Sequence, residues 1–208
     1  MGWMQDADNP AATHWDSVYA SRTDAELSWT QVEPKLSLAM IREACRSGRV
    51  IDIGGGTSPL AGRLLDSGYA VTVLDVSAAA IANARRQLGD RAAQAGWIVA
   101  DVARMPAVGA FDVWHDRAVF HFLIDPGDRA AYLALLHRTI PPGGHAVIAT
   151  FAPEGPEKCS GLPVRRYDGA ALAAELGPEF RRVKSVPDTH VTPWGKPQAF
   201  QYSLFERI

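Results

Sequence analysis

Two cysteines, Cys45 and Cys159, stand far apart in a chain of 208 residues, and neither belongs to a C-x-x-C unit. That scarcity offers no disulfide framework and no zinc-type spacing, so no metal site is expected and a reducing, cytoplasmic setting fits best. A surplus of one charge is also missing. The 21 Lys and Arg nearly balance 23 Asp and Glu, for a formal charge of −2, which lacks the basic excess of a dedicated nucleic-acid binder. The pairs Arg165–Arg166 and Arg181–Arg182 read as solvated surface. No apolar run approaches the roughly 20 residues that span a bilayer, and Met1 to Thr13 is polar, without the basic start and apolar stretch of a signal peptide. There is no internal repeat, low-complexity tract or interdomain linker.

What is present is 47% hydrophobic residues in a length that buries roughly 70% of the unfolded chain's surface, enough for one core. A single domain over residues 1–208 is expected. From Gly48 onward, short β-branched runs alternate with Ala- and Leu-rich stretches, the pattern of an open parallel sheet with crossover helices. Strands are expected at Arg49–Ile53, Ala70–Asp75, Trp97–Ala100, Phe111–Asp116 and His145–Phe151. Helices are expected at Leu60–Asp66, at Ala78–Leu88 with Ser77 as cap, from Asp125-Pro126 to Ile140, and at Gly169–Leu176. Phe180–Val186 and Ala199–Phe205 read as an antiparallel hairpin added to the sheet. Residues 1–47 and the Pro/Gly-rich loop Ala152 to Tyr167 fall outside the alternation, where they would cover or rim a site.

The sharpest signal is Val50-Ile51-Asp52-Ile53-Gly54-Gly55-Gly56-Thr57-Ser58-Pro59-Leu60, a strand running into glycines and then a helix. Glycines let backbone approach a ligand closely. Asp75 follows Gly54 by 21 residues, where an acid can accept from ribose hydroxyls. Pro59 replaces the third glycine of the dinucleotide fingerprint, and Asp52 would repel a pyrophosphate but suit a cationic amino acid moiety. Asp101, after Val99 and Ala100, is placed to accept from an adenine amino group.

With these motifs, and with Phe111-Asp112-Val113-Trp114 and Pro142-Gly143-Gly144 in order behind them, residues 47–208 resemble the class I S-adenosylmethionine-dependent methyltransferases. Asp52, Gly54 and Gly56 match that family's D-x-G-x-G; its usual third glycine is Ser58 here. The resemblance implies a Rossmann-like, doubly wound α/β fold with a seven-stranded, mostly parallel sheet, a C-terminal antiparallel hairpin and helices on both faces. It implies S-adenosyl-L-methionine as cofactor, held by Trp29, Asp52, Gly54, Gly55, Gly56, Ser58, Leu60, Asp75, Val76, Asp101 and Val102.

Asp116-Arg117 resembles an acid–base pair of thiopurine-type and protein-lysine methyltransferases, and His121 aligns with a frequent family histidine. Asp116 and His121 are therefore the catalytic candidates; the alternatives are a structural ion pair of Asp116 with Arg117 and packing of His121 under the cofactor. Trp15 and Tyr19, four residues apart and so on one helix face, resemble an aromatic lid over residues 1–47. Together with Arg117 they are the substrate candidates. Trp29 over a sulfonium would contribute about 0.5–2 kcal/mol. Cys159 and His190 rank below these. The expected activity is methyl transfer to a small-molecule nucleophile; the alternatives are a protein-lysine acceptor and a non-catalytic cofactor-binding module. Acceptor atom and oligomeric state are not legible.

Overall fold

A computed structural model describes residues 9–208; the polar Met1 to Asp8 stretch lies outside the described residues. Nine strands and six α-helices follow in chain order: α1 Pro10–Ser21, α2 Lys35–Ala44, β1 Arg49–Ile53, α3 Leu60–Asp66, β2 Ala70–Asp75, α4 Ala78–Leu88, β3 Gly96–Val99, β4 Val113–Arg117, α5 Pro126–Thr139, β5 His145–Phe151, β6 Lys158–Cys159, β7 Leu162–Pro163, α6 Gly169–Leu176, β8 Phe180–Val191 and β9 Pro197–Arg207.

Seven strands form one sheet in the order β3-β2-β1-β4-β5-β9-β8. The first five are parallel, and β9 and β8 run antiparallel. Chain order reverses between β1 and β4, and their carboxyl ends open the crevice where open α/β sheets bind ligands.

The central strands β1, β4 and β5 are buried on both faces, so alternate side chains feed two cores. Val50, Val113, Val147 and Ala149 pack with Leu38 and Ile41 of α2, Leu60 and Leu64 of α3 and Ile81 of α4. Ile51, Ile53, Trp114 and Ile148 pack on the other side with Tyr132, Leu135 and Leu136 of α5 and Leu172 and Leu176 of α6. Helix starts follow local chemistry: Asn9, Ser77, Asp125 and Asp168 each accept from backbone N–H groups of the first turn, which offsets donors that a helix leaves unpaired.

Several expected boundaries move. The third strand spans Gly96–Val99 rather than Trp97–Ala100, and the fourth Val113–Arg117 rather than Phe111–Asp116. The appended hairpin is much longer than expected, because β8 is an edge strand with an exposed face that needs no apolar alternation. The loop after β5 carries the two-residue pairing of β6 with β7, closed by Ser160-Gly161, which the sequence reading left as irregular chain.

Candidate functional site

At the end of β1 the chain turns sharply through Gly54 and Gly56, with φ of 63° and 50°. A Cβ on Gly54 would lie 2.1 Å from Val119 Cγ2, and one on Gly56 2.4 Å from Tyr19 Oη. Only glycine meets both the left-handed backbone and the close approach. Gly54 N donates to Leu74 O at 2.7 Å, pinning the loop to the end of β2.

There Asp75 accepts from Gly56 N and Ser77 N, each at 2.9 Å. Burial raises its carboxyl to about 6, against the lowering effect of those two N–H bonds. Its remaining lone pairs are available to hydroxyl donors. Asp101 accepts from Ala103 N at 2.9 Å, Asn9 Nδ2 at 2.9 Å and Arg104 Nε at 3.2 Å.

These elements line a cavity of about 400 Å³ whose wall includes Trp15, Tyr19, Trp29, Gly54, Asp75, Val76, Asp101, Val102, Arg117, Phe122 and Cys159. A smaller pocket of about 50 Å³ shares Tyr19, Trp29, Gly54 and Arg117 with it and adds Ser37, Asp52, Gly55, Ser58, Leu60 and His115. Gly56 lines a third space of about 200 Å³ beside α3 and α4. The structure thus gathers most of the sequence candidates on the walls of three spaces that share lining residues, near the sheet's switch point.

The front segment covers it. Trp15 stands edge-on to Trp29 and Phe122 at centroid distances of 5.6 and 5.2 Å, and Tyr19 to Trp29 at 6.1 Å. Burial, with Asp75 beside it, pushes the Tyr19 phenol far up, so it stays neutral. Polar fastenings tie the cover to the loops beneath. Asp16 Oδ1 accepts from Ser77 Oγ at 2.6 Å and Ala79 N at 3.0 Å, while Asp24 accepts from Thr57 Oγ1 at 2.7 Å and Gln87 Nε2 at 2.8 Å.

Asp116 and His121, the catalytic candidates, do not line the cavity. The buried Asp116 carboxylate accepts from Val119 N, Phe120 N and Tyr132 Oη at 2.9, 3.0 and 2.7 Å. It organises the turn after β4 and anchors α5. It forms no ion pair with Arg117. His121 is fully buried between Phe122 and Phe151 and accepts weakly from Phe151 N at 3.3 Å. Burial, helped by Arg117, lowers its imidazole to about 3, so at neutral pH it is an uncharged packing residue.

Asp52, expected to suit a cationic ligand group directly or through water, lines the small pocket; its Oδ1 lies 2.7 Å from His115 Nδ1, and His115 Nε2 lies 2.9 Å from Ser37 Oγ. His115 and Ser37 were missed by the sequence reading. Their signal was the β1–β4 register, which sets His115 beside Asp52. Arg117, reaching the same cavity walls, donates to Tyr202 Oη at 2.8 Å and Trp29 O at 2.9 Å. Among the described residues no three His, Cys, Asp or Glu side chains gather as a metal-ligand set.

Residues 50–144 match the family model described as a methyltransferase domain. The ubiquinone/menaquinone biosynthesis C-methyltransferase UbiE of Coxiella burnetii is 35% identical over 111 residues, covering 50% of this chain and 43% of that protein. The chain therefore spans less than half the length of the curated relatives it matches. Among solved structures, one described as the conversion of a disulfide bond into a thioacetal group during echinomycin biosynthesis aligns at TM-score 0.75 and 23% identity, over 94% of this chain and 92% of that one. The N-methyltransferase NodS of Bradyrhizobium japonicum, in complex with S-adenosyl-L-homocysteine, aligns at TM-score 0.72 and 16% identity, over 95% and 98%. A third, the Burkholderia thailandensis 1,6-didemethyltoxoflavin-N1-methyltransferase, gives TM-score 0.67 and 18% identity, over 95% and 84%. The chain has the fold of these methyltransferase structures, and its residues 50–144 match a methyltransferase-domain model.

Proposed function

We propose that this protein transfers a methyl group from S-adenosyl-L-methionine to a small-molecule nucleophile. One observation carries the reading: Gly54 at the head of the glycine turn, the Asp75 carboxylate and Asp101 line one covered cavity of about 400 Å³, within the range of roughly 300–1,000 Å³ typical of cofactor sites. The site fits the cofactor. Gly54 and Gly56 let the loop backbone lie against Val119 and Tyr19, where any Cβ would collide, Asp75 retains lone pairs for ribose hydroxyls, and Asp101 is assigned to the adenine amino group.

The cofactor supplies a methyl group on a sulfonium: the S–CH3 bond breaks with its electron pair left on sulfur, as the acceptor's lone pair forms the new bond. The chain's own work is orientation and exclusion of water. Trp15, Tyr19 and Trp29 close the opening, and Trp29 offers a π face to a cation. Because Asp116 and His121 stand off the cavity wall, the reading assigns neither as a base, and the acceptor arrives with a free lone pair.

A small acceptor is supported by the aromatic cover over the cavity. Two of the similar proteins also point this way, one named for a step of ubiquinone/menaquinone biosynthesis and one holding 1,6-didemethyltoxoflavin. No helix among the described residues is long and apolar enough to cross a membrane. The two free cysteines favour a cytoplasmic setting.

Calorimetry with S-adenosyl-L-homocysteine, followed by product detection across small thiols, amines and phenols, tests the reading. Micromolar cofactor binding and turnover with a small acceptor are expected. Tighter binding of NAD, or turnover confined to a macromolecular fraction of cell extract, overturns it.

A further inference from the structure

The Arg117 guanidinium is a cation without a counter-charge. Among the described residues no carboxylate lies within ion-pair distance of it, and its partners are a phenol, the Trp29 carbonyl and the face of Phe200, 4.8 Å from the ring centroid. Nη2 is buried and has no hydrogen-bond partner at all.

The titratable groups around it supply no negative charge. Cys159, on the same cavity wall, is a thiol pushed up to about 11 by burial. His121 and His190 are both held down by burial, with Arg117 adding to the effect, so both are neutral at pH 7. The carboxylates that share a wall with it are not paired with it: Asp52, in the small pocket, is bound to His115, and in the large cavity stand Asp75 on β2, Asp101 after β3 bound to Arg104 and Asn9, and Asp128 in the first turn of α5.

A half-buried charge with an unmet donor is costly, and such a group is stabilised when an ionised acceptor completes its hydrogen bonds. Guanidinium forks suit planar carboxylates in particular. Since Arg117 forms part of the wall of both the large cavity and the small pocket, a ligand in either meets it.

We propose that Arg117 is the anion-binding group of the acceptor subsite, and that the molecule receiving the methyl group carries a carboxylate or a comparable anionic group paired with this guanidinium. The proposal rests on the methyltransferase reading. The same guanidinium chemistry would also suit the cofactor's own amino acid carboxylate, and the test separates the two sources.

Ligand-observed NMR with matched fragments, benzoate against benzamide and indole-3-acetate against indole-3-acetamide, is run on the full chain with and without saturating S-adenosyl-L-homocysteine. The expected result is that the carboxylates bind at least tenfold more tightly than their amides with S-adenosyl-L-homocysteine present. Arg117→Met abolishes the preference, and Arg117→Lys restores part of it. On the unmodified protein, rising chloride weakens the carboxylates and leaves the amides unchanged, a readout that stands even if the Met variant fails to fold. Equal binding of acids and amides, no carboxylate binding, a preference that survives Arg117→Met, or one indifferent to chloride overturns the proposal. Displacement of the carboxylates by S-adenosyl-L-homocysteine also overturns it and hands Arg117 to the cofactor. Failure of S-adenosyl-L-homocysteine to bind, measured separately by calorimetry, sinks the cofactor reading and leaves the anion preference to be judged on the ligand-free arm.

Discussion

His115 Nδ1 lies 2.7 Å from Asp52 Oδ1 because the two residues are direct neighbours across the parallel β1–β4 pair, and Ser37 of α2 closes the chain at 2.9 Å from Nε2. All three are buried. The motif acid of the glycine loop is therefore held from behind by a histidine, and its position depends on that contact.

Removing different members of this chain should separate in cost. Ser37→Ala deletes one hydrogen bond, worth about 0.5–1.5 kcal/mol. His115→Leu leaves Asp52 buried beside an apolar side chain and should cost about 3–5 kcal/mol, the range for breaking a buried pair by removing one partner. Urea unfolding measures both; a His115→Leu loss no larger than that of Ser37→Ala would mean the contact is inert.

Cofactor affinity should titrate with Asp75. Its folded carboxyl is raised to about 6 by burial, so it is ionised at pH 7 and becomes protonated as pH falls through 6. Binding of S-adenosyl-L-homocysteine should weaken below that point, and Asp75→Asn should be weaker at pH 7 by roughly tenfold to a hundredfold, as for hydrogen bonds to a charged group, and flat with pH. Calorimetry from pH 5 to 8 checks this; an Asn variant that keeps the wild-type pH profile would assign the titration elsewhere.

The buried imidazole of His121 predicts a distinct acid response. Its folded value, about 3, lies below the ordinary 6.5, so the unfolded chain binds the extra proton and stability is lost as pH falls from 6.5 towards 3. The raised carboxyls of Asp75 and Asp116, both about 6, act in the opposite sense: the folded state holds those protons more tightly, and stability rises as pH falls from about 6 towards 4. His121→Phe should therefore gain on wild type as the buffer is acidified between pH 6.5 and 4. Melting temperatures measured in parallel decide it, and a constant difference across that window would place His121 in contact with solvent.

Two left-handed glycines give a matched pair. Gly54→Ala and Gly68→Ala both force φ values of 63° and 83° on alanine, at a backbone cost of about 1–2 kcal/mol. A methyl on Gly68 meets nothing within 4 Å, whereas one on Gly54 strikes Val119. Gly54→Ala should lose cofactor binding and considerably more stability, while Gly68→Ala should bind normally. Indistinguishable variants would show that Val119 yields freely.

The alternation of strands and helices was legible because strands buried on both faces are written as short β-branched runs, and the capping residues Ser77 and Asp125 mark their helices. The candidate site was legible where the chain is local and glycine-dependent, as at Gly54 to Gly56. It failed at the end of β4 for a reason of parity. Successive strand residues point to opposite faces, so His115 and Arg117 reach α2 and the covering segment while Trp114 and Asp116 reach Tyr132 on α5. Reading Asp116-Arg117 as a unit assigned two adjacent residues to one place, which an extended backbone forbids. The hairpin was legible but its full length was not, because the exposed face of β8 leaves no apolar period to read.

The front cover is fastened by Asn9 on Asp101, Asp16 on Ser77 and Ala79, and Asp24 on Thr57 and Gln87. Such fastenings exchange with water at modest net cost, and several grip the loops that face the cavity. Closure is therefore expected to follow encounter as a separate step, which would make the cover a timing element. In stopped-flow mixing with S-adenosyl-L-homocysteine, tryptophan fluorescence from Trp15 and Trp29 should show a rate that levels off at high ligand concentration. Asp16→Ala should quicken reopening, so that the lifetime of the complex, more than its rate of formation, is set by three side chains that touch no reacting atom.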